Sequence, residues 1–157
     1  MNLERYNHLA FFAGLSAAQI QLLAPFFAPQ TWVAGTVVFE QGDYAEYLYL
    51  VVSGELTIRY KPDDGPMMNV THVQPGGIFG WSAAMGNPTY TSGAVCALDS
   101  EILRIRGADL RMLGDKHPEL GKVILERLSA TIAQRQHSQQ GRVNSMLANG
   151  MRQQPNN

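Results

Sequence analysis

The sequence predicts a mainly β domain, a small barrel or jelly roll, with helices at both ends. Two observations favour this class. The middle of the chain consists of short β-prone runs separated by single glycines such as Gly35, Gly42 and Gly54. Apolar residues at helical spacing precede and follow this region. The 157 residues, 45% of them hydrophobic, suit one soluble domain with a sizeable core.

Composition argues against several classes of protein. A formal net charge of −1 gives no electrostatic reason to expect general nucleic-acid binding. No apolar run reaches membrane-spanning length, and the first residues lack the layout of a signal peptide. The single cysteine, Cys96, allows no internal disulfide, which suits a reducing cytoplasm. We therefore expect a cytoplasmic protein with no membrane partner, in which Cys96 is a small buried hydrophobic residue.

The N-terminal region is predicted to be helical, with a turn near Gly14. Its apolar side is supplied by Leu9, Phe11, Phe12 and Leu15. Ser16 is a favourable N-cap for the next helix, SAAQIQLLAPFF, and Pro25 is expected to end or kink that helix.

The β region is predicted to begin after Gln30. Its strands are expected at residues 37–40, 47–52, 55–60, 68–73, 90–97 and 101–106. Gly54 is expected to turn the second of these strands into the third as a hairpin. Short, evenly spaced strands of this kind are typical of a small barrel or jelly roll.

Beyond Arg106 the pattern is helical again. A short helix is predicted over residues 108–113, and Pro118 suits the first turn of a long helix. The apolar face of that helix is too wide for one surface contact, so we expect one side to pack on the barrel. The other side would contact a second copy of the chain or another protein through Leu125, Leu128 and Ile132. Residues 139–157 are predicted to form a polar tail after a domain at 1–138.

The segment PGGIFGWSAAMGNPTYTSGAVCA, residues 75–97, is the predicted functional site. It reads as a strand end, a glycine, a one-turn helix, a loop and a strand. Gly80 would let a ligand approach the backbone, and is also expected to need glycine for backbone reasons. The first N–H groups of a helix have no internal partners and favour an anion. The segment therefore predicts a phosphate cradle.

Three segments resemble the cyclic nucleotide-binding domain, the ligand-sensing half of the catabolite activator protein and its relatives. They are GTVVFEQGDYAEYLYLVVSGEL at 35–56, VQPGGIFGWSAAM at 73–85 and TSGAVCAL at 91–98. The resemblance covers roughly residues 8–138. It implies a β-roll with N-terminal helices and a long C-terminal helix. It also implies a cyclic nucleotide as the ligand, with its phosphate bound at the glycine and short helix, and no other cofactor.

Two positions depart from the cyclic AMP binders of that family. The resemblance implies a glutamate for the ribose 2′-hydroxyl where this chain has Trp81, whose indole donates but cannot accept a hydrogen bond. It implies a phosphate-binding arginine where this chain has Thr91, followed by Ser92. Losing a charged partner costs about 2–5 kcal/mol in comparable interfaces. That is roughly a thirty- to several-thousand-fold loss of affinity, so tight cyclic AMP binding by the usual contacts is not expected.

The predicted ligand-binding residues are Gly80, Trp81, Ser82, Ala83, Thr91 and Ser92. Trp81 is either a lid or stacking surface, or a packing residue that fills the space of the absent glutamate. The three hydroxyl residues form either a neutral polar pocket for an anion or another nucleotide, or local turn and cap contacts.

The function hypotheses follow from these residues. The favoured one is a stand-alone sensor that binds a small anionic, nucleotide-type ligand and signals through its C-terminal helix. The alternative is a ligand-free scaffold for dimerisation or partner binding.

DNA-binding relatives carry a helix-turn-helix domain after the long helix, and the polar residues that follow here are too few for one, so direct DNA binding is not expected. Neither a metal site nor catalysis is expected, because the sequence shows no metal-ligand spacing and no nucleophile–base pair.

Overall fold

In the computed structural model, which describes residues 3–131, two four-stranded antiparallel sheets are flanked by helices. The strands are β1 Phe27–Trp32, β2 Val37–Phe39, β3 Tyr47–Ser53, β4 Leu56–Tyr60, β5 Met68–Val73, β6 Ile78–Phe79, β7 Gly93–Cys96 and β8 Ser100–Arg106. One sheet has the order β1-β8-β3-β6 and the other β2-β7-β4-β5. The predicted β-roll is confirmed, while Ile132 and the predicted tail at 139–157 lie outside the described residues.

The helices lie at the two ends of the chain, apart from one inserted turn. They are α1 Ala17–Leu23, α2 Trp81–Ala84, α3 Gly107–Lys116 and α4, which occupies residues 118–131. Three 3₁₀ turns, at Leu3–Tyr6, Ala10–Phe12 and Ala24–Phe26, complete the N-terminal region. Among the described helices, none combines the length and apolar character that crossing a membrane requires.

Local sequence signals position several of these elements. The Ser16 hydroxyl accepts a hydrogen bond from the Gln19 backbone N–H at 3.1 Å, and the Gln19 side chain accepts one from the Ser16 N–H. This reciprocal pair is a capping box, as the N-cap prediction required. Gly54 turns β3 into β4 at a φ of +89°, and a Cβ there would lie 2.2 Å from the Ser100 hydroxyl oxygen. The hairpin therefore needs glycine at this position.

β1 is the main element that the sequence analysis missed. It pairs antiparallel with β8, from Phe27 opposite Ile105 to Trp32 opposite Ser100. Pro29 lies in its middle and cannot donate a ladder hydrogen bond, which is a signal against a strand. The strand forms nevertheless because it lies at the edge of its sheet.

The described residues form two separate apolar cores. The roll core comprises Phe39, Ala45, Tyr49, Val51, Leu56, Ile58, Val73, Phe79, Ala83, Tyr90, Ala94, Cys96 and Ile102. The helical core joins the helices to the first sheet and comprises Leu3, Tyr6, Leu9, Phe11, Phe12, Leu23, Phe27, Leu48, Leu50, Ile78, Ala84, Leu103, Ile105, Leu110, Leu113, Leu120, Ile124 and Leu128. Successive residues of a strand point to opposite faces, so β3 and β8 contribute to both cores.

The predicted partner-facing stripe of α4 is divided by the structure. Leu120, Ile124 and Leu128 recur every four residues and so share one helix face, which is buried in the helical core. Leu128 is only 6% exposed, so assigning it to a partner surface was wrong. Leu125 lies on another face and is 65% exposed.

Candidate functional site

A cavity of about 410 Å³ lies where α2 meets the second sheet. This volume is within the range of sites that hold small organic molecules. Its lining comprises Phe39, Ile58, Tyr60, Val70, Gly80, Trp81, Ser82, Tyr90, Thr91 and Ser92. The structure thus brings five of the six predicted ligand-binding residues together around one space. Ala83 is the exception.

Gly80 initiates α2 in the left-handed conformation, with φ +75° and ψ +28°. A Cβ at this position would lie 2.9 Å from the Tyr47 carbonyl oxygen and 3.0 Å from Cδ2 of Tyr49. The backbone conformation and the close contact with β3 both require glycine here. The fold therefore requires glycine at position 80 whether or not a ligand binds, as the backbone interpretation of this residue predicted.

Trp81 connects the cavity with the helical part of the domain. Its half-buried side chain lines the cavity and also packs against the helical core. The two predicted roles, a pocket surface and a packing residue, are therefore combined in one side chain. An indole is large enough to contact both sides at once.

Ser82 is a buried polar residue whose side chain has no hydrogen-bond partner among the described residues. It is 4% exposed and lines the cavity. Its hydroxyl oxygen is not one of the fully buried, unpaired side-chain atoms of the described residues, so it is accessible from the cavity. Thr91 and Ser92 line the same space, and their side chains make no hydrogen bond within the described part of the chain either. The three hydroxyls thus do not form the cap or turn bonds that the local alternative would require.

Phe39 and Tyr90 form an aromatic wall that sequence reasoning did not assign to the site. Their rings stack with centroids 3.7 Å apart. The Tyr90 hydroxyl donates to the Tyr47 carbonyl at 2.6 Å and accepts from the Tyr47 N–H at 3.0 Å. Burial raises the pKa of Tyr90 above its ordinary value, so the phenol stays protonated. The two residues lie far apart in sequence, and no local signal could have paired them.

No charged side chain is among the described residues that line the cavity. Two arginines of neighbouring elements have partners elsewhere: Arg59 of β4 lies 3.4 Å from the Glu40 carboxylate, and Arg111 of α3 donates to the Ala83 carbonyl. The helix α2 has only four residues, so few peptide dipoles add along its axis. The predicted electrostatic basis for an anion cradle is therefore weak.

Ala83 serves as the docking point between α2 and α3. Its side chain is buried in the roll core, and its carbonyl accepts the hydrogen bond from Arg111. A Cβ at Gly107, the first residue of α3, would lie 2.0 Å from the same carbonyl oxygen. The close approach of the two helices thus depends on a glycine, and α2 is held directly against α3.

Other reactive groups are inert or dispersed in the described region. Cys96 is 2% exposed, and burial raises the pKa of its thiol, as expected of a small hydrophobic residue. Within residues 3–131, no group of three His, Cys, Asp or Glu residues could hold a metal ion.

Comparison with known proteins agrees with this geometry. The family model of the cyclic nucleotide-binding domain matches residues 29–117, more than half of the chain. The chain belongs to the cyclic nucleotide-binding domain family. The matched residues run from β1 to the end of α3 and include the whole cavity lining. The family is one of regulatory ligand-binding domains rather than catalytic ones.

Individual relatives give the same assignment. The cyclic AMP receptor protein of Thermus thermophilus is 27% identical over 124 residues, which are 79% of this chain and 56% of the relative. The chain thus spans little more than half of that relative. A putative cyclic nucleotide-binding protein from Geobacter metallireducens is 28% identical, with a TM-score of 0.77 over 87% of this chain and 99% of the other.

A third similar structure shows the fold alone. It is the regulatory subunit of a cAMP-independent protein kinase A from Trypanosoma cruzi, bound to guanosine. It is 19% identical, with a TM-score of 0.67 over 78% of this chain and 41% of that protein. The family model and the relative from Thermus thermophilus, rather than this structure, indicate a ligand-sensing regulatory role.

Proposed function

We propose that this domain is a sensor that binds a small nucleotide-type ligand in the cavity and signals through its C-terminal helices. The observation that carries the proposal is the double contact of Trp81, which lines the cavity and packs against the helical core. A ligand that moves this indole changes the packing of the core in which α4 is buried. Binding, without any chemical step, is the proposed activity.

The route from the cavity to α3 is short. Ser82 lines the cavity, and the next residue, Ala83, holds the contact with Gly107 and Arg111 of α3. Since this contact has no spare room, a displacement of α2 must move α3 or break the Arg111 hydrogen bond. Occupied and empty cavities would then favour different positions of α3 and α4.

The ligand must make contacts other than those of the cyclic AMP binders. This chain has Trp81 and Thr91 where the resemblance implies the ribose-binding glutamate and the phosphate-binding arginine. The relative from Thermus thermophilus is a cyclic AMP receptor, whereas the Trypanosoma cruzi relative holds guanosine. Cyclic mononucleotides, cyclic dinucleotides and nucleosides therefore all belong in the first set of test compounds.

Thermal unfolding tests the proposal. A compound at a hundred times its dissociation constant stabilises the folded protein by about 2.7 kcal/mol. At this chain length that corresponds to an increase of about 5–10 °C in melting temperature. Hydrogen exchange in α4, residues 118–131, should change with the same compound.

A blocked-cavity variant provides the control. Thr91→Trp places a large side chain at the cavity and should abolish the shift. Thr89→Trp adds the same side chain at an exposed position outside the lining and should leave the shift intact. If no compound of the three classes shifts the melting temperature, the sensor proposal is wrong.

A second function is favoured by one observation, the exposure of Leu125 on α4. The domain would then be a scaffold in the cytoplasm that forms a homodimer or binds a protein through this face. Sedimentation should show a dimer that Leu125→Asp dissociates. Leu98→Asp, at another exposed leucine, is the matched control and should remain dimeric. A wild-type protein that is monomeric and captures no partner would exclude this function.

A further inference from the structure

We infer that the cavity takes an uncharged ligand: an aromatic heterocycle with hydroxyl groups, such as a nucleoside, rather than a cyclic nucleotide. This inference rests on the proposed function and narrows the chemistry of its ligand.

The first argument is the charge of the lining. Its described side chains are aromatic, aliphatic or hydroxyl-bearing, and none is ionised at neutral pH. Transferring a phosphate anion into such a surface loses its hydration without a compensating positive charge. A neutral ligand carries no such penalty.

The second argument is that adjacent positive charges are engaged elsewhere. One terminal nitrogen of Arg59 lies 3.4 Å from the Glu40 carboxylate, although its Nε has no partner among the described residues, and Arg111 is bonded to the Ala83 carbonyl. Bringing either guanidinium to the cavity would break a contact that the structure makes. In the case of Arg111, that contact is the hydrogen bond that joins α3 to α2.

The third argument is the type of polar group that the cavity offers. Ser82, Thr91 and Ser92 each carry a neutral hydroxyl that can donate and accept. The Ser82 hydroxyl makes no hydrogen bond to the described residues and lines the cavity, so it is available to a ligand. Trp81 and the aromatic wall suit a flat ring system. Hydroxyls beside aromatic surfaces match a ribose attached to a base.

Calorimetry with paired probes tests the inference. Adenosine is compared with cyclic AMP, and guanosine with cyclic GMP, at low and at physiological salt. We expect one nucleoside to bind at least as tightly as its cyclic nucleotide, with an affinity that does not depend on salt. A cyclic nucleotide that binds tenfold more tightly than its nucleoside, and more weakly as salt is added, would overturn the inference and leave the sensor proposal standing. Binding of a cyclic dinucleotide, with no binding of a nucleoside or a cyclic mononucleotide, would also overturn the inference and leave the sensor proposal standing. Binding of none of these compounds would overturn both.

Two variants sharpen the test. Ser82→Ala removes the unpartnered hydroxyl and should weaken nucleoside binding by about two- to tenfold, with an unchanged melting temperature in the absence of ligand. Thr91→Arg adds a positive charge at the cavity and should improve binding of the cyclic nucleotide at least tenfold while leaving the nucleoside almost unaffected. Thr91→Gln, which is neutral, is the matched control. If Thr91→Arg improves both ligands equally, or neither, phosphate charge is not what the cavity discriminates against, and the inference fails.

Discussion

The contact between α2 and α3 makes Gly107→Ala the most informative single substitution. The added Cβ would lie 2.0 Å from the Ala83 carbonyl oxygen, whereas ordinary van der Waals contact begins at 3.4 Å. The two helices would therefore have to separate by about 1.4 Å. The obstacle is a backbone atom and cannot rotate away.

Two effects of Gly107→Ala lower the free energy of unfolding, and one raises it. Overpacking of this kind costs about 1–3 kcal/mol. Losing the hydrogen bond from the Arg111 guanidinium to the Ala83 carbonyl costs about 1.5–3 kcal/mol. Alanine forms helix better than glycine by about 1 kcal/mol, which offsets part of the loss. We expect a net destabilisation of about 1.5–5 kcal/mol, or about 3–20 °C in melting temperature.

Urea and thermal unfolding measure this loss, and Gly114→Ala in the same helix is the control. Its Cβ would lie 3.3 Å from the Gly121 Cα, so a shift of a few tenths of an ångström suffices. We expect this variant to stay within about 1 kcal/mol of the wild type. A Gly107→Ala protein as stable as the wild type would refute the close α2–α3 contact, and with it the proposed route from the cavity to α4.

Three further predictions concern packing, hydrogen bonding and pH. Leu128→Ala should lower the free energy of unfolding by about 2–5 kcal/mol, because it leaves a space in the helical core, whereas Leu125→Ala should lower it by under about 0.5 kcal/mol. Equal losses for the two variants in urea denaturation would contradict the assignment of the α4 faces. Tyr90→Phe keeps the ring that stacks on Phe39 but removes the hydrogen-bond partner of the Tyr47 backbone groups, so it should destabilise the domain by about 1–3 kcal/mol. An unchanged midpoint of urea unfolding would show that the Tyr90 hydroxyl has no such stabilising role. Burial raises the pKa of Tyr49 and of Tyr90 above the ordinary 10.0. As pH rises, the unfolded chain therefore loses these protons before the folded protein does. The free energy of unfolding should keep its full value below pH 10 and fall above it, and it should fall less steeply with pH in Tyr90→Phe than in the wild type. Equal slopes in the two proteins would contradict the raised pKa of Tyr90.

Most element positions could be predicted because their signals are local. The Ser16 cap, the Gly54 hairpin and the start of α4 at Pro118 each depend on the conformational preference of one residue and its immediate neighbours. β1 could not be predicted, since Pro29 opposes a strand in isolation. Only pairing with β8 at the edge of a sheet makes that strand stable.

The site was predictable in part for the same reason. Gly80, Trp81 and Ser82 follow one another, so a short motif was enough to mark them. Phe39 and Tyr90 join them only through the packing of distant strands. The two roles of Trp81 also required the structure, because one side chain contacts the cavity and a core built mainly from other segments.

The sequence by itself determined that this chain is a β-roll of the cyclic nucleotide-binding domain family, and that Trp81 and Thr91 stand where the resemblance implies a glutamate and an arginine. Glycine turns, strand periodicity and residue types are properties of short segments, and they can be read without the fold. The tertiary structure alone decided that Leu128 is a core residue and that Ala83 docks α2 on α3. It also decided that the cavity lining among the described residues carries no charge. These features depend on which faces of distant segments meet, and that is settled by burial and close packing across the whole domain.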